Sequence, residues 1–259
     1  MAVPPDRLFT QRTQAVQRAL QVLDLFSLAS PELSLQEISA QLGMAPSTTH
    51  RLLKTLEESG WLARVAGTEL YRLGPRLLTL GGQMLMQYPV REVAAPHLRR
   101  LAHELGQTVG LARYDDGAVV YLDCVEGPGA INLTLRIGGR APAHCVASGR
   151  ALLAHMESGE LLRIAARGLA PCIPDGRVDE EALILDLQRI RERGYAVDDG
   201  DWRPGVRAAA AAVLDSTRRP IVAVTAIGFA GDLTMERVDE IGRIVQGVAA
   251  QIARAMGYP

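Results

Sequence analysis

The chain of 259 residues is long enough for one large domain or two ordinary ones, each with its own hydrophobic core, and we expect two. Its 28 basic and 29 acidic side chains nearly cancel, so a surface that binds nucleic acid has to be local rather than spread over the whole chain. No apolar stretch approaches the roughly 18 residues of a membrane span, and the N-terminus carries no hydrophobic signal region, which predicts a soluble, cytoplasmic protein without a membrane partner.

Residues 1 to 74 carry the signals of an arm, three helices and a β-hairpin. The first 12 residues are expected to be a flexible arm, because prolines and scattered polar side chains precede the first apolar stripe. Apolar residues then repeat at spacings of three and four, which predicts a helix that ends before Pro31. Ser34 and Glu37 match the pattern of a capping box at the start of a second, short helix.

A third helix and the hairpin complete this segment. Gly43 separates the second helix from the third, which opens at Pro46 because a proline suits the first helical turn. Two strand-like runs, residues 61–65 and 69–73, then flank a turn that contains glycine. This order of elements predicts a winged helix-turn-helix domain over residues 13–74.

The rest of the chain is predicted to be a linker helix followed by an α+β domain. Residues 75–89 form a helix with apolar side chains nearly all round, a property of helices that pack on a second copy of themselves. Over residues 90–259, hairpin-joined strands with helices at their ends indicate an antiparallel sheet covered by helices. The predicted strands are 108–114, 118–125, 131–137, 195–197, 206–214 and 221–229, and the predicted helices are 93–105, 148–156, 160–166, 179–193 and 234–256.

The third helix has two chemically distinct faces. Leu52, Leu53 and Leu56 are expected to hold it on its own domain, while hydroxyl groups and cations project outward. Such a helix can enter the major groove of DNA with its first turns, where Arg51 reaches a guanine and Lys54 a phosphate. The alternative is an ordinary surface helix with a solvated polar face. The predicted DNA contacts are Ser47, Thr48, Thr49, His50, Arg51 and Lys54 on the helix, with Arg64 and Arg72 on the hairpin as a wing along the sugar-phosphate backbone.

The second domain offers weak signals for catalysis or metal binding. Cys124, Cys145 and Cys172 lie far apart without a C-x-x-C pair, which argues against a disulfide framework or a zinc ribbon and favours a reducing cytosol. His144 adjoins Cys145, but neighbouring residues usually point apart and no third residue is evident to orient the histidine. The run Asp198-Asp199-Gly200-Asp201 lacks the closing glutamate of a calcium loop. We therefore expect no catalytic residue, no metal and no cofactor.

Four stretches match a known family. They are LSLQEISAQLGMAPSTTHRLLKTLEESGWLAR at 33–64, YRLGPRLLTLG at 71–81, GGRAPAHCVASGRALLAHM at 138–156 and RERGYAVDDGDWRPGVRAAAAAVLD at 191–215. In these stretches, which span nearly the whole chain in the family's order, the sequence resembles the IclR family of bacterial transcription regulators.

The resemblance implies that the second domain is a GAF-like sensor, which binds a small organic acid and joins subunits. In the relatives, the carboxylate lies at the start of the helix after the HCVASGRA-like segment, where exposed N–H groups favour an anion. The effector-binding residues carried over are Ala147, Ser148, Gly149, Asp198, Ala208, Thr225 and Ile227. Members that bind small oxoacids have a cysteine at the position of Ala208 and a serine at that of Ile227. The resemblance therefore predicts a larger, aromatic acid rather than glyoxylate.

Together these observations predict a DNA-binding transcription regulator. Two recognition helices must meet successive major-groove faces, so the partner is duplex DNA with a pseudo-palindromic operator and the unit is a homodimer or a dimer of dimers. RNA polymerase is a further candidate partner, and the linker helix would transmit effector binding. Two alternatives stay open: an enzyme acting on a small organic acid with an appended winged-helix interaction module, and a module whose winged helix contacts a protein.

Overall fold

The computed structural model describes residues 5–128, 135–166, 168, 169, 171–173 and 179–258. This part of the chain divides into two compact units between Gln87 and Tyr88. Among the helices in these ranges, none is long and apolar enough to cross a lipid bilayer.

The first unit combines helices with a small antiparallel sheet. Its elements are α1 (Pro5–Asp24), β1 (Glu32–Ser34), α2 (Leu35–Leu42), α3 (Pro46–Glu58), β2 (Leu62–Arg64), β3 (Leu70–Leu73) and α4 (Pro75–Leu85). β3 is the middle strand and pairs with both β1 and β2. The helices and the sheet bury Val22, Ile38, Leu53, Leu62 and Tyr71 in one core. The predicted order of helix, helix, turn, helix and hairpin is confirmed.

Local signals determine where α2 and α3 begin. The Ser34 hydroxyl accepts a hydrogen bond from the Glu37 backbone N–H, and the Glu37 carboxylate accepts one from the Ser34 backbone N–H, so the capping box is confirmed. Gly43 follows α2 in a left-handed conformation, with a φ of 60°, and Pro46 opens α3. The capping box, Gly43 and Pro46 thus determine where α2 begins and ends and where α3 begins.

Two features of the first unit differ from the sequence predictions. The helix α1 begins at Pro5, so the expected arm is wrong for residues 5–12, while residues 1–4 lie outside the described part. A proline is tolerated in the first turn of a helix, and neither glycine nor a second proline interrupts α1. The strand β1 was not predicted, because three residues are too few for an alternation to be recognised.

The second unit is built on one six-stranded antiparallel sheet. Its elements are α5 (Pro89–Leu105), β4 (Thr108–Asp115), β5 (Ala118–Val125), β6 (Arg140–Pro142), α6 (Ala147–Leu153), α7 (Ser158–Ala166), α8 (Glu180–Arg193), β7 (Ala196–Asp199), β8 (Val206–Leu214), β9 (Pro220–Phe229) and α9 (Met235–Ala255). The strand order is β6-β5-β4-β9-β8-β7. The predicted α+β class is confirmed.

Helices cover both faces of this sheet. Ala208 and Ala210 of β8 belong to the core that α6 and α8 close, whereas Ala209 and Ala211 point to the opposite face because side chains alternate along a strand. The helices α5 and α9 pack on that opposite face. Small side chains along β8 let α6 lie close to the sheet, and this approach brings the start of α6 next to the ends of β7 and β9.

One predicted strand cannot be compared with the structure over most of its length. Residues 129–134 lie outside the described part, and the described residues 135–137 are not in a strand. The short edge strand β6 was not predicted; it pairs with β5 through Arg140, Ala141 and Pro142.

The pairing of the cysteines differs from the sequence prediction. Cys145 and Cys172 form a disulfide, with 5.2 Å between their Cα atoms and a sequence separation of 27. The expectation of three separate thiols is wrong for this pair, because sequence spacing carries no information on residues that the fold brings together. Cys124 is a free cysteine.

Candidate DNA-binding surface and ligand cavity

The side chains of α3 divide between the domain core and solvent. Leu53 and Leu56 are buried as predicted, and Leu52 is partly buried. The exposed side, called the α3 surface, consists of Ser47, Thr48, His50, Arg51 and Lys54. Lys54 lies 3.8 Å from the carboxylate of Glu58, but both side chains are so exposed that this ion pair holds the ammonium weakly. The α3 surface therefore offers hydroxyl groups, an imidazole and two cations on one side of a helix.

Thr49 does not belong to this surface, and its assignment as a DNA contact is wrong. The side chain is 0% exposed, and its hydroxyl lies 3.2 Å from the carbonyl oxygen of Ala45 and 3.4 Å from the hydroxyl of Ser39. Ser39 in turn donates to the carbonyl oxygen of Met44. These bonds join the end of α2 to the start of α3. The helical rotation of 100° per residue places Thr49 on the same face as Leu53.

The two arginines of the hairpin differ in their contacts with acidic side chains. The Arg64 guanidinium donates to the Glu69 carboxylate and to the Tyr71 hydroxyl, at 2.6 Å in each case, and Glu57 lies 3.8 Å away. It also stacks on the Tyr71 ring. These acids compete with a phosphate for the guanidinium of Arg64, and its assignment as a DNA contact stays a prediction. Arg72 lies exposed on β3, and its contact with the sugar-phosphate backbone stays a prediction.

The second unit contains a cavity at the junction of α6 with the sheet, here called the sheet cavity. Ala147 and Ser148 line it from α6, Asp198 from β7, Ala208 from β8, and Thr225 and Ile227 from β9. The register explains their convergence, since Asp198 pairs with Ala208 and Ala208 with Ile227 across neighbouring strands. Six of the seven predicted effector residues thus lie around one space.

Gly149 is the exception, because it does not line the sheet cavity. A Cβ atom at this position would collide with the carbonyl oxygen of Ala143. Glycine is needed here so that α6 can lie against the backbone of the preceding turn. The close approach to Ala143 explains why this position is glycine, and the backbone contact with an effector that was assigned to Gly149 stays a prediction.

Several lining residues were not named from the sequence. Tyr121, Leu135, Val146, Trp202 and Arg203 also border the sheet cavity. Trp202 and Arg203 lie in the RERGYAVDDGDWRPGVR stretch, but that stretch alone does not tell which side chains turn inward. Tyr121 carried no signal, since a tyrosine in a predicted strand is ordinary.

The polar groups of the sheet cavity have opposite characters. The hydroxyls of Ser148 and Tyr121 lie 3.1 Å apart, and burial raises the pKa of Tyr121 to about 12, so its phenol stays neutral. The Asp198 side chain is 7% exposed and accepts a hydrogen bond of 2.8 Å from the Asp201 backbone N–H. Burial raises the pKa of Asp198 to about 6, although Arg150 opposes this shift. The cavity therefore combines hydroxyl donors with one carboxylate acceptor.

Arg150 ties α6 to the neighbouring elements behind the cavity. Its guanidinium donates to the Val197 carbonyl oxygen and to the Asp201 carboxylate, at 2.7 Å in each case, and lies 3.3 Å from the Asp186 carboxylate. Asp199, at the end of β7, is paired with Arg207. Asp199 and Asp201 thus each contact an arginine.

Comparison with known proteins identifies both units. Residues 15–66 match the family model described as the IclR helix-turn-helix domain, and residues 82–254 match the model described as the bacterial transcriptional regulator IclR C-terminal domain. The two matches together cover most of the chain in the order in which the two units occur.

Individual relatives match over nearly their full length. The HTH-type transcriptional regulator XynR of Escherichia coli is 33% identical over 95% of this chain and 98% of its own, and the transcriptional repressor IclR of the same species is 30% identical over 96% and 92%. An IclR homolog from Microbacterium hydrocarbonoxydans, solved in complex with 4-hydroxybenzoate, superimposes with a TM-score of 0.77 at 26% identity, covering 93% of this chain and 99% of that one. These relatives are regulators and a repressor rather than enzymes.

Proposed function

The chain belongs to the IclR family of bacterial transcriptional regulators, and we propose that it binds a pseudo-palindromic operator as a homodimer or dimer of dimers and responds to a small aromatic acid in the sheet cavity. Binding would change the access of RNA polymerase to a promoter, in the cytoplasm where bacterial DNA lies. The observation that carries the proposal is the convergence of six separately placed residues, from Ala147 to Ile227, on one cavity in a chain with a helix-turn-helix domain.

The α3 surface supports the DNA-binding half of the proposal. Thr48 and Arg51 project from the first two turns of α3, the part of a recognition helix that reaches base edges. Arg51 can form two hydrogen bonds to a guanine, and Lys54, one turn on, can reach a phosphate. Arg72 on the wing supplies a further cation beside this surface.

Two copies of α3 need a subunit contact, and α4 supplies a candidate surface. Leu78 and Met86 are each 81% exposed, and Leu80 and Met84 are also exposed. Three large apolar side chains on one short helix, with a fourth at the residue directly after it, favour burial against a partner. A second copy of α4 is the partner we propose, because recognition helices must be about 34 Å apart to meet successive major-groove faces.

The sheet cavity suits an acid that also carries a hydroxyl group. The anionic end would contact the hydroxyls of Ser148 and Tyr121 and the guanidinium of Arg203. Asp198 would accept a hydrogen bond from a hydroxyl of the ligand, and Ile227 would contact its apolar body. The relative solved with 4-hydroxybenzoate supports this ligand class, because that molecule has one carboxylate, one phenol and a ring between them.

Calorimetry with the full chain tests the ligand class. Titration with 4-hydroxybenzoate and with glyoxylate should give binding of the aromatic acid and weaker or no binding of glyoxylate, since Ala208 and Ile227 provide no polar atoms for a small oxoacid. The Tyr121→Phe variant removes one hydroxyl at constant shape and should weaken the aromatic acid about fivefold. Tight binding of glyoxylate, together with no binding of any aromatic acid, would refute the proposed ligand class.

DNA fragments from the gene's own neighbourhood test the operator. Affinity for such a fragment should fall steeply with rising salt, because counterions are released from each contacted phosphate. An affinity that does not depend on salt would favour the alternative, a winged helix that contacts a protein. The same conclusion would follow if the chain bound a protein partner as strongly as it bound DNA of unrelated sequence.

A further inference from the structure

The disulfide joins two segments that lie apart in the sequence. Cys145 is buried directly before α6, whereas Cys172 lies in the described stretch 171–173 between α7 and α8 and is partly exposed. An open cavity borders Cys172, with Asp179 and Asp186 on its walls. Cys172 is therefore the more exposed residue of the pair, while Cys145 is shielded.

Cys145 belongs to the same rigid segment as the wall of the sheet cavity. Its backbone N–H donates to the Pro142 carbonyl oxygen at 3.1 Å, and Val146 and Ser148, which follow it, both line the cavity. Gly149 leaves no space between α6 and the backbone of Ala143. We therefore expect a displacement of Cys145 to displace Ser148 as well, because residues 142–149 are closely packed.

The geometry points to a redox-sensitive site in which the Cys145–Cys172 pair exchanges with low-molecular-weight thiols and thereby changes the affinity of the sheet cavity. The disulfide anchors the start of α6 to the segment before α8; the dithiol releases it. The effect on ligand binding rests on the proposed function, whereas the exchange itself does not.

The chemical step balances with two molecules of an external thiol such as glutathione. The first thiolate attacks the exposed sulfur of Cys172, the disulfide bond breaks, and Cys145 leaves as a thiolate that takes up a proton. The second thiolate attacks the mixed disulfide at the glutathione sulfur, which forms oxidised glutathione and releases the Cys172 thiolate. The protein gains two electrons and two protons, and two thiols are oxidised to one disulfide.

A metal site is the competing use of these residues. The ligand atoms of His144, Cys145 and Cys172 lie within 4.8 Å of one another, as in a site for a soft divalent ion. A metal needs both sulfurs as thiolates, however, and the structure has them in a covalent bond to each other. The two uses exclude one another, so zinc enters as an outcome of the test.

The first experiment measures the bond itself. The full chain is equilibrated in glutathione buffers of increasing oxidised fraction, its free thiols are alkylated, and its mass is determined. We expect two of the three thiols to become protected together in the wild type, both remaining thiols to become protected together in the control Cys124→Ser, and the intramolecular bond to be absent in Cys172→Ser. Three free thiols in the most oxidising buffer, or zinc that binds the reduced chain and blocks its oxidation, would overturn the inference.

The second experiment measures the coupling without and with ligand. Hydrogen exchange of backbone amides over residues 142–153 should accelerate several-fold on reduction of the wild type but be unaffected by reductant in Cys172→Ser. Reduction should also weaken 4-hydroxybenzoate binding about tenfold, an ordinary coupling between linked sites. Equal rates of amide hydrogen exchange in the oxidised and the reduced wild type would overturn the inference of a redox switch. If exchange responds but 4-hydroxybenzoate binds in neither state, the proposed ligand class fails while the redox inference stands.

Discussion

Replacing Asp198 by asparagine should stabilise the second unit at neutral pH. The carboxyl group is buried in β7, and the nearby Arg150 directs its hydrogen bonds to Val197, Asp186 and Asp201 rather than to Asp198. Burial raises the pKa of Asp198 from 3.8 to about 6, so the charged form is less favourable in the folded chain than in water. Asparagine has the same shape and its Oδ1 can still accept from the backbone N–H of Asp201.

The size of the effect follows from proton linkage. A carboxyl group whose pKa is raised binds its proton more tightly in the folded chain, so its contribution to stability is most favourable below its unfolded pKa of 3.8 and is lost as the pH rises through about 6. At about 1.4 kcal/mol for each pKa unit, the ionised side chain costs about 3 kcal/mol well above pH 6. The asparagine variant avoids this cost, with an advantage of about 3 kcal/mol near neutral pH that shrinks to about 1 kcal/mol near pH 4.5.

Urea unfolding of the second unit at several pH values measures this difference. The wild type, Asp198→Asn and the control Asp232→Asn should be compared, because Asp232 is exposed and its removal should change the free energy by less than about 0.5 kcal/mol. Groups that titrate in both chains cancel in the comparison. A variant that is less stable than the wild type near neutral pH, or an advantage that does not depend on pH, would refute the reasoning from burial.

Three further variants test the first unit. Arg51→Ala should lower operator affinity by about 1 to 3 kcal/mol for each copy, measured by fluorescence anisotropy, whereas Arg99→Ala in α5 should leave it unchanged; equal effects would remove Arg51 from the interface. Thr49→Val should lower the free energy of unfolding by about 1 to 2 kcal/mol, because it removes a buried hydroxyl from the helix-turn-helix, and unchanged thermal stability would contradict that role. The double variant Leu78→Glu and Met86→Glu should dissociate in analytical ultracentrifugation, and a dimer that persists would show that α4 is not the contact.

The elements that were predicted correctly are those with strong local determinants. The start of α2 follows from Ser34 and Glu37, the turn from Gly43, and the start of α3 from Pro46, each of which acts within a few residues. The hairpin between β4 and β5 likewise follows from its Asp-Gly turn. Short strands such as β1 were missed, since their existence depends on a partner strand that is distant in sequence.

The candidate sites show the same division between local and long-range information. Rotation along a helix determines which side chains of α3 face solvent, so the α3 surface was predicted except for Thr49, whose hydroxyl suggested a DNA contact although its position belongs to the buried face. For Arg64, the position on the hairpin was predicted but its ion pairs were not, because the acids that contact its guanidinium come from a helix and a turn whose approach depends on the fold.

The sheet cavity could not have been derived from local patterns. Asp198, Ala208 and Ile227 are adjacent only because β7, β8 and β9 pair in one register, and a shift of that register by one residue would turn all three to the opposite face. The resemblance to a family named these three positions together without any derivation of the register. It named no partner for Cys172, which pairs with a cysteine 27 positions away in sequence. Positions carried over by the resemblance are therefore recoverable from sequence, whereas a contact between distant segments that the resemblance did not name, such as the disulfide, requires the structure.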